Sequence, residues 1–219
     1  IKPTYVKNQL FLFLKATIVN PAFDSQTKEF LKTTKGKFGF KPEISNKFID
    51  KVYKTEIVDK IISLASYKDN KDLKKTDGRK KTKLRIPKLD DANKAGGKYS
   101  KECTLILTEG DSAKTMAISG LSQVGRDYYG VFPLRGKVMN VKSSDTNKIG
   151  SNKEITNIKQ ILGLKSGMKY KNIEENWPLR YGKIMIMTDQ DYDGFHIKGL
   201  LMNLFHTFWP ELLNNGFIT

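Results

Sequence analysis

Three aspartates, Asp189, Asp191 and Asp193, fall within five residues in "IMIMTDQDYDGFHIKGLL" (184–201). Carboxylates this close repel one another unless a cation sits among them or some are protonated. An apolar strand-like run precedes them and a long apolar helix-like run follows. Another acid, Glu109, ends a second apolar run in "CTLILTEGDSA" (103–113). If the two runs are neighbouring strands, four carboxylates meet at one sheet edge. Hard oxygen donors without Cys or His select Mg²⁺, with Mn²⁺ or Ca²⁺ as substitutes, and Mg²⁺ held by few carboxylates keeps waters and serves phosphates. The alternative is a solvated acidic turn at a helix N-terminus, where negative charge is favoured. For Glu109 alone the two readings stand level. Three mutually repelling aspartates exceed what a cap requires.

Other chemistries fit poorly. An EF-hand loop opening at Asp189 needs a bidentate Glu at its twelfth position, which is Leu200, and a strand-like run stands where its helix should be. "EGDSAKT" (109–115) ends like a phosphate loop, but only Gly110 is present, at the wrong spacing. His196 and His206, at i,i+10 on one expected helix, do not stand side by side for a nucleophilic triad. Cys103 is the single cysteine, which excludes an internal disulfide framework and a cysteine-ligated zinc site. No run of apolar residues is long enough to span a membrane, and the polar, charged N-terminus does not read as a signal peptide.

The elements that must position these acids emerge from periodicity. "QLFLFLKATIV" (9–19) reads as a buried strand, and "NPAFDSQTKEF" (20–30) as turn chemistry. Apolar spacing predicts a helix over 44–66, with Ser45 and Asn46 as caps. Residues 67–89 hold ten basic and three acidic side chains and read as an exposed basic connector. "IPKLDDANKAGGKYS" (86–100) reads as a linker. Beyond it, strands are expected at 103–108, 128–133 and 182–187, with helices after the first and third and over 153–164. Continuous apolar strands alternating with helices predict a parallel α/β sheet. Both acidic turns follow strand carboxyl ends, where open α/β sheets bind ligands.

Charge is uneven along the chain. Residues 1–100 carry 24 basic and 11 acidic side chains, a net of +13, whereas 101–219 carry 15 and 12, a net of +3. A strongly basic segment suits a polyanionic partner, or a solvated lysine-rich face.

The motifs "EGDSA" (109–113), "PLRGK" (133–137) and "DQDYDG" (189–194) resemble the Toprim domain of type IIA DNA topoisomerases. "LTEGDSAK", "VGRDYYGVFPLRGK", "RYGKIMIMTDQDYDG", "HIKGLL", "IPKLDDANKAGGK" and "NPAFDSQTKE" are similar to the eukaryotic branch of that family in particular. The resemblance covers nearly the whole chain, with its motifs in order. It implies a Toprim-like parallel sheet flanked by helices over 101–219. This would be preceded by the α+β C-terminal part of a transducer domain over 1–90 and a linker over 91–100. It implies that Glu109, Asp189 and Asp191 are catalytic Mg²⁺ ligands, with Asp193 supporting or binding more weakly. Arg135, Lys137 and Asn140 would lie against DNA. Gly110, Asp111 and Arg135 would line a pocket for drugs wedged into cleaved DNA. Gln26, Thr27 and Lys28 would form the loop that meets the γ-phosphate of ATP.

The same resemblance implies ATP-dependent cleavage and religation of double-stranded DNA by a homodimer, in the nucleus, or in the cytoplasm if viral. The attacking tyrosine and the ATP-binding domain would lie outside these residues, leaving the loop at 24–30 mobile or packed non-natively and the isolated chain inactive in strand passage. One departure stands out: Phe195 occupies the place of the family's serine after the acidic trio. Two other readings remain open from the residues alone. One is a Mg²⁺-dependent phosphatase or nucleotidyl transferase; the other is a non-catalytic nucleic-acid-binding module.

Overall fold

A computed structural model describes residues 3–41, 43–171 and 177–219. The chain forms two compact units, 1–67 and 68–219.

In the first unit, a short helix α1 (Pro3–Lys7) leads into the run expected as a buried strand. That expectation is corrected: residues 9–19 form no strand, and Phe11, Leu12, Phe13 and Leu14 are 81–92% exposed. A strand needs a neighbour to satisfy its backbone groups; here Val19 N–H donates to the Phe38 carbonyl at 3.4 Å, but no strand ladder forms along 9–19 among the described residues. Helix α2 (Asn46–Tyr53) starts at Ser45, whose side chain accepts from the Phe48 N–H, as the capping pattern predicts. The single helix expected over 44–66 is broken after Tyr53. There the Thr55 hydroxyl donates to the Val52 carbonyl at 2.6 Å, competing with the helical ladder. Helix α3 (Ile57–Lys75) then runs through the start of the expected connector. Nothing in 67–75 breaks a helix; the turn signal comes only at Asp77-Gly78.

The second unit is built on three parallel strands, β1 (Thr104–Thr108), β2 (Tyr129–Pro133) and β3 (Lys183–Met187), in the order β2-β1-β3. Helix α4 (Asp111–Val124) crosses from β1 to β2. Helices α5 (Thr146–Ser151) and α6 (Lys153–Leu162) lie between β2 and β3, and α7 (Tyr192–Phe208) and α8 (Pro210–Asn214) follow β3. Alternation along β1 sends Leu105 and Leu107 to one face and Ile106 to the other. The first face joins Ile155, Ile158 and Ile161 of α6 and Leu201, Leu204 and Phe205 of α7 in the main core. The second carries a smaller cluster of Ile106 and Val131 with Ala117 and Leu121 of α4. The three strands and the helices expected after the first and third are all present; α5 is additional.

The expected linker packs instead. Ile86, Ala92 and Ala95 are buried, and Asp90 bridges Val131 at the β2 edge. Asp91 binds both Arg180, which is fully buried, and the Tyr181 hydroxyl. The Arg180 guanidinium also donates to the carbonyls of Lys81 at 2.6 Å and Ile161 at 2.8 Å. A buried guanidinium must have its partners, so this charged, glycine-rich stretch serves as a lining of the core.

Candidate metal and nucleic-acid site

Register decides the geometry. Thr108 pairs with Pro133 on one side and Met187 on the other. The turns that begin at Glu109, Leu134 and Thr188 therefore leave the sheet at the same carboxyl edge. Backbone bonds tie them together. Glu109 N–H donates to the Met187 carbonyl at 3.3 Å, and Leu134 N–H to the Thr108 carbonyl at 2.7 Å. Gly136 N–H donates to the Glu109 carbonyl at 3.3 Å.

Glu109 and Asp189 come together here: Glu109 Oε2 stands 3.5 Å from the Asp189 amide nitrogen. Asp191 caps α7, accepting the Gly194 N–H at 2.8 Å. Gly194 is required by crowding, since a Cβ there would lie 2.0 Å from the Asp189 carbonyl oxygen. Asp193 pairs with Lys137 at 2.9 Å, both side chains largely exposed. The expected convergence is thus partial. Among the described residues no three acids or histidines gather closely enough to enclose an ion. The donor set nonetheless fits Mg²⁺ in kind, with hard carboxylate oxygens on two adjoining strand ends. Asp191 and Asp193 spend their oxygens on a helix N–H and on an ammonium.

The cationic turn is held beside these acids. Arg135 is exposed, and its backbone N–H donates to Glu154 at 2.6 Å. Gly136 has φ +74°, the left-handed region that favours glycine. Asn140 accepts from Lys142 N–H at 3.1 Å and from Asn203 of α7 at 3.0 Å. Gly110 opens α4 with φ −164°, and a Cβ there would meet nothing within 4 Å. Neither strain nor crowding demands glycine at that position. Asp111 pairs with Lys88 at 2.5 Å, and that hydrogen bond holds its carboxyl below the usual range. Beside Arg135 opens a cavity of about 470 Å³ lined by Thr76, Pro87, Lys88, Phe132, Arg135 and Glu154 among others. Phe195 is 57% exposed on the first turn of α7, under the Lys198 ammonium at 5.0 Å.

Sequence reasoning missed Lys88 and Glu154. Lys88 lies in the quoted stretch 86–98 and Glu154 on an expected helix, neither marked locally as functional, and only the fold brings them to this edge.

Gln26, Thr27 and Lys28 belong to the first unit. Phe23 and Leu31 form an antiparallel bridge that closes the turn between them. Within it Ser25 and Thr27 hydroxyls lie 2.7 Å apart, and Lys28 N–H donates to the Ser25 carbonyl at 3.2 Å. Lys28 has φ +55°, and its ammonium lies 5.9 Å from the Phe23 ring centre. The loop expected to be mobile or packed non-natively takes the form of a turn closed by short-range bonds.

Comparison with known proteins agrees with this architecture. Residues 104–219 match the Toprim domain family and residues 1–81 the DNA gyrase B family. The chain is 57% identical over 213 residues to DNA topoisomerase 2 of Arabidopsis thaliana, covering 97% of this chain and 14% of that protein. It is 53% identical over 219 residues to the Drosophila melanogaster enzyme of the same name, covering 100% and 15%. Against the DNA topoisomerase 2 of Acanthamoeba polyphaga mimivirus it is 54% identical over 219 residues, covering 100% and 17%. The chain therefore spans a small part of the relatives it matches. It also resembles a solved structure, the Plasmodium falciparum topoisomerase II DNA-binding, cleavage and re-ligation domain. That match has a TM-score of 0.59 and 59% identity, covering 63% of this chain and 19% of that one. With a Toprim sheet whose acidic turns share one edge and these relatives along its whole length, the chain belongs to the Toprim family, within its DNA topoisomerase 2 branch.

Proposed function

We propose that this chain is the segment of an ATP-dependent type IIA DNA topoisomerase that holds Mg²⁺ at the scissile phosphate of double-stranded DNA. The observation that carries the reading is the shared edge: Glu109, Asp189 and the Arg135–Lys137 turn all leave one end of the sheet, joined by backbone hydrogen bonds. Glu109, Asp189 and Asp191 would hold the ion, with Asp193 in support. Bound there, Mg²⁺ supplies Lewis-acid stabilisation of phosphate oxygens.

The chain's own residues do the rest. Glu109 and Asp189, on adjacent strand ends, set the position of the negative pole. Arg135 and Lys137 place positive charge beside it, along the path of a phosphate backbone. Such contacts position a duplex without reading its sequence. Asn140, braced against α7 through Asn203, extends the same surface. Asp191 and Asp193, which accept here from the Gly194 N–H and the Lys137 ammonium, would offer those oxygens to the ion, and a Lys137 released from Asp193 would be free for phosphate.

In this reading the attacking tyrosine and the nucleotide-binding domain would belong to other parts of the full-length enzyme. Gln26, Thr27 and Lys28 would signal the γ-phosphate state, and the working enzyme would be a homodimer acting in the nucleus. Gly110, Asp111 and Arg135 would border the drug pocket; the unobstructed space over Gly110 suits a close approach.

The test is Lys137→Ala in the full-length enzyme, read as duplex affinity against salt. One lost phosphate contact lowers the logarithmic slope by about 0.9, similarly for unrelated sequences, and cleavage falls. If Lys137 only neutralises Asp193, both slope and cleavage stay as in the parent enzyme, and DNA does not lie on this face.

A further inference from the structure

Glu154 belongs to none of the acidic motifs, yet it is bonded to the centre of the cationic turn. Three consecutive N–H groups of that turn are each held. Leu134 donates to the Thr108 carbonyl at 2.7 Å and Gly136 to the Glu109 carbonyl at 3.3 Å, so both are anchored to the end of β1. The N–H between them, on Arg135, has a side chain as partner: Glu154 Oε1 at 2.6 Å.

The carboxylate is itself rigidly mounted. It sits in the first turn of α6, where the Asn152 side chain accepts from the Glu154 and Ile155 N–H groups, both at 3.0 Å. Ile155 and Ile158 of the same helix are in the core at 2% and 0% exposure. Burial raises the Glu154 carboxyl above its ordinary value, against the Arg135 N–H bond and the nearby guanidinium. A partly desolvated acid is costly to keep, and no ion pair within 4 Å involves it among the described residues. Its strong contact is the turn.

We propose that Glu154 is a positioning residue of the DNA-cleavage site, locking the Arg135–Lys137 turn against the Glu109 end of β1 so that both cations meet the phosphates beside the metal. It acts through the Arg135 backbone and touches neither DNA nor ion. This rests on the reading above that the shared sheet edge binds DNA. Small displacements of such a group are expensive, since a misplacement of about 1 Å costs up to 10²-fold in rate. Sites of this kind depend on neighbours that hold their geometry.

The experiment compares Glu154→Ala, Glu154→Asp, Glu154→Gln and Lys137→Ala in the full-length enzyme. Mg²⁺-dependent cleavage of saturating duplex, the salt slope of binding and thermal unfolding are followed together. Glu154→Ala and Glu154→Asp should each lower cleavage by about tenfold, Ala by removing the acceptor and Asp by withdrawing it. Glu154→Gln keeps an oxygen acceptor without charge and should restore most of the activity. A role in stability alone lowers the unfolding midpoint while folded enzyme cleaves normally, which overturns the proposal. So does a Glu154→Gln enzyme as poor as Glu154→Ala, because charge and not the hydrogen bond would then matter. Should Glu154→Ala fail to fold, Glu154→Asp and Glu154→Gln decide by the same criteria. If Lys137→Ala is impaired while Glu154→Asp cleaves normally, the positioning role alone falls. If all four behave like the parent, the DNA reading of this edge falls with it.

Discussion

The Glu109 carboxylate reaches across the end of the sheet to the Asp189 amide, 3.5 Å away. Eighty residues separate the two in sequence; the parallel pairing of β1 with β3 makes them neighbours. Removing either carboxylate should therefore damage one shared function. In the full-length enzyme, Glu109→Gln and Asp189→Asn are each expected to lower Mg²⁺-dependent cleavage by at least about 10²-fold. The double variant should lose little more, as residues acting as a unit are not additive. Cleavage measured across a Mg²⁺ titration checks this; losses that multiply would show two independent sites.

Gly194 lies in the first turn of α7, with its backbone packed against the acidic turn. Gly194→Ala would drive a Cβ to 2.0 Å from the Asp189 carbonyl oxygen. Either the turn or the helix start must shift, and the Asp191 cap is lost with it, at about 1 kcal/mol for the cap alone. The expected result is a lower unfolding midpoint together with weaker Mg²⁺ dependence of cleavage. A variant with wild-type values in both measurements counts against this packing.

Lys28 holds a left-handed backbone in a closed turn. Lys28→Ala removes the ammonium and leaves an unfavourable φ, whereas Lys28→Gly removes the same ammonium and relieves the backbone. Both variants should lower ATP hydrolysis in the full-length enzyme and leave DNA cleavage largely intact, if the ammonium meets the γ-phosphate. Normal ATPase rates in Lys28→Gly would assign the residue to the turn only.

Lys159 is a buried lysine, 4% exposed, whose ammonium bonds Asp77 at 3.0 Å, the Leu73 carbonyl at 2.9 Å, Thr76 at 2.7 Å and Ser166 at 2.8 Å. Burial pulls its pKa below the ordinary value, opposed by Asp77. Lys159→Met leaves the half-buried Asp77 without its cation and removes one donor from the Leu73 carbonyl, which keeps its bonds from Thr76 and Ser166. A loss of roughly 3 kcal/mol is expected in denaturant unfolding. A change under about 0.5 kcal/mol would show that the network contributes nothing net.

Cys103 is fully buried, and burial pushes its thiol up to about 11. A raised thiol pKa means that the nucleophilic thiolate is scarce below that value. At pH 8 the native chain should resist alkylation over hours and react fully once unfolded. Rapid labelling of folded protein at that pH would contradict the burial.

Local pattern alone predicts much of the second unit. Apolar runs place β1, β2 and β3, helical spacing places α6 and α7, and the spacing of Asp189, Asp191 and Asp193 after a strand marks the acidic turn, because these properties depend on neighbours in sequence. Motif resemblance adds Arg135 and Lys137. Tertiary structure alone decides the register that brings Glu109 to Asp189, since strand pairing is a long-range choice. It also recruits Glu154, Lys88, Asp91 and Lys159, whose partners are distant in sequence and whose charges read locally as surface. The same limit explains the error at 9–19: "QLFLFLKATIV" has strand character, but strand character becomes a strand only when another segment supplies the opposite row of hydrogen bonds.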